Sequence, residues 1–473
     1  MNTISTFLRG CLRPSAVLPA ALAFVLAACG GGGSTDLAGV GSGGSGVASG
    51  TVSGFGSIIV DGVEYDDSSA THQAQDADGV SVNVAVKLGQ RVRLVYSGAQ
   101  VARSIEVQAQ LLGPVTVAPG TDGVLQVMGQ RVRLVTSSAD PTLSSLTVLA
   151  GYADTASIHA GDEVEVHGAW TFDSTLGANV LVASRVEKRA AAADPVQLGG
   201  VVTAIGGTTL RLNGAAGTLV QAASVSGIGV GDVVRVWVAR SALSTSPLPA
   251  LRVAGEGLSS ADLAAYASAK VSGLASNYDS SSRTVEVQGV RVKLADGVAV
   301  DESALRQGQF VTLKVVPSGG RLVADAVELR SSSGSGSGDL GRVVEVKGVI
   351  GGIDWSAATV NFTLRDTAIQ ASAAVIASAC RAVPVTGSAY VEVSGSIARP
   401  GAVVTAAQVK CSQSFSGAVT VQSTATIARI DLAAQTMGLL VANSGASLAA
   451  SWDSRTYFEQ RPASLPVGLR VEV

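Results

Sequence analysis

Residues able to do chemistry are scarce in this 473-residue chain, and their neighbours decide what each can do. It has three histidines, His72, His159 and His167. His159 and His167 flank Gly161 and could present two imidazoles on one face. A zinc site needs three or four protein ligands, and neither a cysteine nor a third histidine accompanies them. Surface or internally satisfied roles are expected, with no metal site. Gln75-Asp76-Ala77-Asp78-Gly79 contains a fragment of a calcium loop but lacks the remaining ligands and the distal bidentate glutamate. It reads as a polar turn, and Asp66-Asp67 after Tyr65 as a solvated one. No Gly-x-Ser-x-Gly elbow joins a strand to a helix, and Gly41 to Gly46 is linker. No recurring set pairs a nucleophile with a base and an orienting group. Trp170, Trp237, Trp355 and Trp452 fall at different points of the chain, as packing residues do; stacking platforms for sugars or bases are more numerous and regular. These residues assign no catalytic group and no cofactor.

One thiol does sit in a reactive context. Leu26-Ala27-Ala28-Cys29 closes an apolar run from Ala16 to Ala28 that follows Arg9 and Arg13, and Gly30 to Gly33 come next. A basic segment, a short apolar core and small residues before a cleavage point form a secretory signal. With cysteine at that point, the segment resembles the lipobox of bacterial lipoproteins. The resemblance implies a signal peptide over residues 1–28 and Cys29 as the first mature residue, diacylated on its sulfur and acylated on its new amino group. Such chains anchor firmly, at about 0.8 kcal/mol per buried methylene. A membrane helix needs about 20 apolar residues, more than this run supplies. Gly30, where an aspartate would signal retention, favours the outer membrane by resemblance to enterobacterial sorting.

The remaining composition bounds the rest. Glycine is abundant at 56 residues and aromatics make up 4%. With Val, Ala, Thr and Ser dominant, this favours strands and turns over helices. Removing Arg9 and Arg13 with the signal takes the formal charge from −3 to −5. A chain without an excess of Lys and Arg is not built to neutralise phosphates, so nucleic acid is not an expected partner. Of four cysteines, Cys11 leaves with the signal and Cys29 takes lipid. Cys380 and Cys411 remain, an isolated pair in an oxidising setting, and a disulfide between them is expected.

Internal repeats supply the architecture. One element reads Gly-x-x-Val-x-Val/Leu, as in Gly161-Asp162-Glu163-Val164-Glu165-Val166. It recurs from Gly89, Gly231, Gly308 and Gly468, and with one extra residue from Gly387, at intervals of 70–81 residues. A second, Ala-x-x-Val/Ile, follows the first five copies, beginning at Ala102, Ala183, Ala250, Ala324 and Ala406. A third is an apolar-x-Gly corner: Val60-Asp61-Gly62, Val127-Met128-Gly129, Leu212-Asn213-Gly214 and Val287-Gln288-Gly289. A fourth is Asp-x-x-x-x-Thr, from Asp279, Asp354 and Asp431. Alternation of apolar and charged residues marks half-buried strands, and Asn-Gly is a strong two-residue hairpin signal. The aspartate should bond local amides, with the threonine opening the next strand.

These elements resemble the repeat known as domain of unknown function 5666, common in predicted bacterial lipoproteins. Gly54-Phe55-Gly56-Ser57-Ile58-Ile59-Val60-Asp61-Gly62-Val63 looks like its opening copy. The resemblance implies an envelope location and a β fold, and brings no catalytic residues with it.

The expected fold is all-β: a tandem array of small antiparallel OB-like β-barrels, since closure removes exposed edges. A continuous β-solenoid is the alternative. The expected boundaries are a Gly/Ser-rich tether at 29–48 and repeats at 49–112, 113–190, 197–258 and 270–330. A Gly/Ser linker at 331–339 precedes repeats at 340–413 and 414–473, the last lacking its closing strand. Ser259-Ser260-Ala261-Asp262 could cap one short helix. Contacts are expected within repeats and between sequence neighbours. The functional expectation is a non-catalytic, lipid-anchored envelope protein that serves as a spacer or a multivalent array for an envelope protein or polysaccharide. The alternative is an enzyme, or an enzyme's accessory subunit, with its site in one degenerate repeat.

Overall fold

The structure is a computed structural model. It describes residues 45–472 apart from residues 62, 68, 98–99, 137–145, 257–267, 288–289, 307–308, 319–320, 330–343, 398–400, 414–423, 442–446 and 452–466. The signal peptide, Cys29, the 331–339 linker, Trp452 and the Ser259 capping segment therefore lie outside the described residues.

Among the described residues the regular structure is nearly all strand, and the strands group into modules. In the second module the first strand Leu111–Val117 pairs antiparallel with Val124–Val127, which pairs with Gln130–Leu134. That third strand runs parallel to the fifth, Ala178–Lys188. The fifth pairs antiparallel with the fourth, Glu163–Asp173, which returns to the first. The ladder thus closes on itself within about 80 residues. The third module repeats the circuit with Val196–Gly206 as its first strand, and the fourth with Ser268–Asp279. The first module does so with Ser45–Phe55, its third strand meeting the fifth through Thr71–Gln75 and an Asp66–Val101 bridge. Asp66 is thereby buried in the ladder, not solvated. Closed circuits in these four modules differ from the unbroken coil of a solenoid.

The repeated motifs have local causes. In the Gly-x-x-Val-x-Val strands one face enters a core: Val92 and Leu94, Val164 and Val166, Val234 and Val236, and Val311 and Leu313 are buried. Ala-x-x-Val has a three-residue spacing that fits no regular strand. A β-bulge reconciles it. In the first module Val95 faces Ser104 while Tyr96 faces Ala102, so Arg103 is the extra residue and Ala102 and Ile105 both point inward. The same skip falls at Ser184, Leu251, Asp325 and Ala407, always one residue after the alanine. Bulges raise local twist and help a small sheet close. Asp279, Asp354 and Asp431 each accept a backbone N–H two residues on, and Thr284, Thr359 and Thr436 begin strands, as expected.

Two expectations need correction. The tether expected at 29–48 ends sooner, since Ser45 to Ala48 are already strand, paired with Leu94 to Ser97. Val47 is fully buried, and Gly46 lies so close beneath the Tyr96 ring that a Cβ there would collide with it. The modules also do not contact only their neighbours. The free edge of Ser45–Phe55 pairs in parallel with the fourth module, Gly46 to Ser49 against Ser268 to Val271, and Val47 packs into that module's core. Its far end pairs in parallel with the fifth, Gly54 and Phe55 against Glu345 and Val346. Sequence order does not limit which modules meet, because an unpaired strand edge will pair with any compatible edge within reach.

In the fifth module the ladders join Val344–Gly351 to Ser388–Ser396, then to Val403–Gln413, Thr367–Ser372 and Thr359–Leu364. The first module's strand end pairs along the edge of Val344–Gly351 that Ser388–Ser396 leaves open. The two modules accordingly share one core, with Phe55, Ile58 and Tyr65 from the first and Trp355, Phe362 and Val391 from the fifth. Among the described residues the sixth module has four strands, Ser447–Ser451, Thr436–Val441, Thr424–Asp431 and Arg470–Glu472, paired in that order.

Candidate functional site

The densest polar chemistry among the described residues lies where the first three modules meet. Arg91 begins the fourth strand of the first module, and Glu256 follows the last strand of the third. The Arg91 guanidinium donates through Nε (3.2 Å) and Nη2 (2.9 Å) to one Glu256 oxygen, and each side chain is only 2% exposed. The other Glu256 oxygen accepts from Gln110 Nε2. Gln110 Oε1 in turn accepts the Trp170 indole N–H at 2.6 Å, so that ring is both core and hydrogen-bond donor. Gln108 approaches the Glu256 carbonyl through Nε2, at 3.5 Å.

His167 lies alongside, fully buried. Its Nδ1 accepts the Arg91 backbone N–H at 3.4 Å, which leaves Nε2 to carry the proton and donate to Glu165 at 2.8 Å. Burial works to raise the Glu165 carboxyl, but the hydrogen bond from His167, with the Arg189 and Arg185 charges behind it, outweighs it and brings its pKa down to about 2. Glu187 stands directly across the ladder from Glu165. Burial again opposes its ionisation, yet Lys87 at 2.8 Å and Arg185 at 2.7 Å hold it below the usual glutamate range. Arg185 also donates to the Leu88 carbonyl (3.0 Å) and Ser184 Oγ to the Gly89 carbonyl (2.6 Å). The charged face of the second module's fourth and fifth strands is therefore an internal surface covered by the first module.

The third module is clamped from two further sides. Arg235 pairs with Glu106 at 2.8 Å, and the Trp237 ring lies within 5.5 Å of the Arg235 guanidinium and 4.7 Å of Arg252. Arg252 donates to Gln75 Oε1 (2.8 Å) and the Asp76 carbonyl (3.0 Å). The Asp76 carboxylate itself accepts the amides of Asp78 and Val80, which fills the calcium-like fragment with its own backbone and makes it a turn. The polar-alanine joint after Lys188 is pinned by Arg240, which bonds Glu163, the Ala193 carbonyl and the Asp194 carboxylate. Four of these contacts cross between modules: Arg91 with Glu256, Lys87 with Glu187, Arg235 with Glu106 and Arg240 with Glu163. Such an arrangement holds three modules in one register.

The other sequence candidates fall elsewhere. His159 is exposed while His167 is buried, so the pair does not converge, and among the described residues no group of three possible metal ligands forms. His72 Nε2 stands 3.6 Å from the Asp67 carboxylate. Trp355 packs edge-on against Phe362. Cys380 and Cys411 are bonded, their Cα atoms 4.8 Å apart.

A recurring lock went unread in the sequence. Gly50, Gly113 and Gly200 of the first strands leave room for the corner residues Asp61, Met128 and Asn213, which take positive φ and fold over them. Three residues after each glycine stands a hydroxyl at a bulge. Ser53, Thr116 and Thr203 donate to the carbonyls of Ile59, Gln126 and Arg211, and Ser276 repeats the contact with Glu286 after Gly273. The signal Gly-x-Val/Ala-Ser/Thr was present in the sequence.

No protein-family model matches the chain, and no curated protein is similar to it.

Proposed function

We propose that the protein is a non-catalytic, lipid-anchored envelope protein, held at the outer membrane through Cys29, whose modules are OB-like barrels forming one multivalent binding platform. The reading rests on one observation above the others: a constant strand circuit presents loops that differ from module to module. The connection between second and third strands is two residues in the second module and spans 213–218 in the third. That between fourth and fifth strands spans 174–177 in the second and 239–247 in the third. Divergent loops on a fixed frame suit several weak contacts that gain from effective concentration. Docking of the first module onto the fourth and fifth folds the array back on itself, which favours a platform over an extended spacer.

Two experiments test this. Cys29→Ala should abolish palmitate incorporation and leave an unprocessed or soluble form; labelling equal to the wild type would rule out the anchor. The fragment from residue 45 should capture a polysaccharide or an envelope protein on glycan arrays and in pull-downs, through contacts that loop substitutions remove. Turnover of a substrate that one substitution abolishes would overturn the non-catalytic reading.

A further inference from the structure

We propose that a disulfide-carrying protein oxidant joins Cys380 to Cys411 before the first module docks on the fifth, and that the bond then latches the core these modules share. Cys380 lies on the short helix Ser378–Arg381 and is 0% exposed; Cys411, near the end of strand Val403–Gln413, is 4% exposed. The helix is also held by the Ala377 N–H on the Val409 carbonyl at 2.9 Å. Both cysteines belong to the same continuous core as Ile58 and Tyr65, which come from a strand pair some 320 residues earlier.

Thiol–disulfide exchange requires a thiolate to reach a disulfide sulfur. No exchange partner can reach two buried sulfurs once this core is closed, so oxidation belongs to the open chain. One cysteine thiolate attacks the oxidant's disulfide and forms a mixed disulfide. The second thiolate then displaces the oxidant's sulfur. The oxidant leaves as a dithiol carrying two electrons, and the chain has given up two thiol protons. The bond ties the helix to the fifth strand within the core to which the first module contributes Ile58 and Tyr65.

The coupling is read from the native protein by its rate of reduction in dithiothreitol, followed by alkylation and gel shift. Ile58→Ala, in the first module, should speed reduction of the Cys380–Cys411 bond at least about tenfold, because it weakens the shared core. Leu210→Ala, equally buried but in the third module's separate core, should leave the rate unchanged. Equal rates for Ile58→Ala and wild type, or equal acceleration by both variants, would overturn the latch. The order of events is read during refolding of the reduced chain in a glutathione couple. Alkylation resistance of the cysteines should appear before the amides of Ile58 to Val60 become protected from hydrogen exchange; the reverse order overturns the proposal.

Discussion

At the scale of single residues, the three-module junction makes the strongest demands on individual side chains. Arg91 and Glu256 are buried together, and removing one partner leaves the other charged in a dry site. Arg91→Ala is expected to destabilise the protein by about 3–5 kcal/mol in urea unfolding. An Arg91→Met/Glu256→Met double variant should recover much of that loss, since neither charge remains to be desolvated. Equal stability of the single and double variants would show the pair to be uncoupled. Glu165 adds a pH dependence. Its folded pKa, about 2, lies below its ordinary value of 4.5. Its contribution is therefore complete above about pH 4.5 and is lost as pH falls toward 2, and it is worth on the order of 3 kcal/mol. Glu165→Gln should flatten the stability profile across that window; an unchanged acid limb would contradict the assignment.

At the scale of strands and turns, the glycine of each first strand and the corner that folds over it form the unit to test. A Cβ at Gly200 would meet the Asn213 amide at 2.6 Å, and that amide already bonds the Val201 N–H and Gln130. A Cβ at Gly113 would meet the sulfur of Met128, an unbranched chain able to move aside. Gly200→Ala should therefore cost about 1–3 kcal/mol and Gly113→Ala clearly less, read from denaturant midpoints. The same corner shows why the strongest hairpin signal in the sequence misled. Asn213-Gly214 does not make a two-residue turn; the loop runs on to Thr218, whose carbonyl accepts the Leu212 N–H, because the Asn213 side chain is drawn inward. Arg365-Asp366, with no glycine, makes the tight turn instead, both residues at positive φ.

At the scale of the whole molecule, the first strand joins three modules. Val47 belongs to the first by sequence and to the core of the fourth by packing. Val47→Asp should release the fourth module while leaving the individual circuits intact. Small-angle scattering would then show a larger radius of gyration with an unchanged strand signature in circular dichroism. An unchanged radius would mean that other contacts hold the two modules together.

What the sequence determined by itself is the local rule of the fold. Alternating Val-x-Val strands and turn aspartates follow from side-chain period and short-range hydrogen bonding, which a single chain segment already contains, whereas the bulge in Ala-x-x-Val is defined only against the facing strand. The Cys380–Cys411 pairing was expected because Cys11 and Cys29 read as a signal residue and a lipid site, and the two remaining cysteines are bonded. The tertiary structure alone decided which module lies against which, and with it the fate of the polar residues. Alternation with Val164 and Val166 marks Glu165 as the outward side of a half-buried strand, and nothing in the local sequence of Arg91, His167 or Glu256 names a partner. Arg91, His167 and Glu256 are buried, and Glu165 half-buried, where the modules meet. Unpaired strand edges and charged faces hold no record of their partner in local sequence, since any complementary surface within reach can satisfy them.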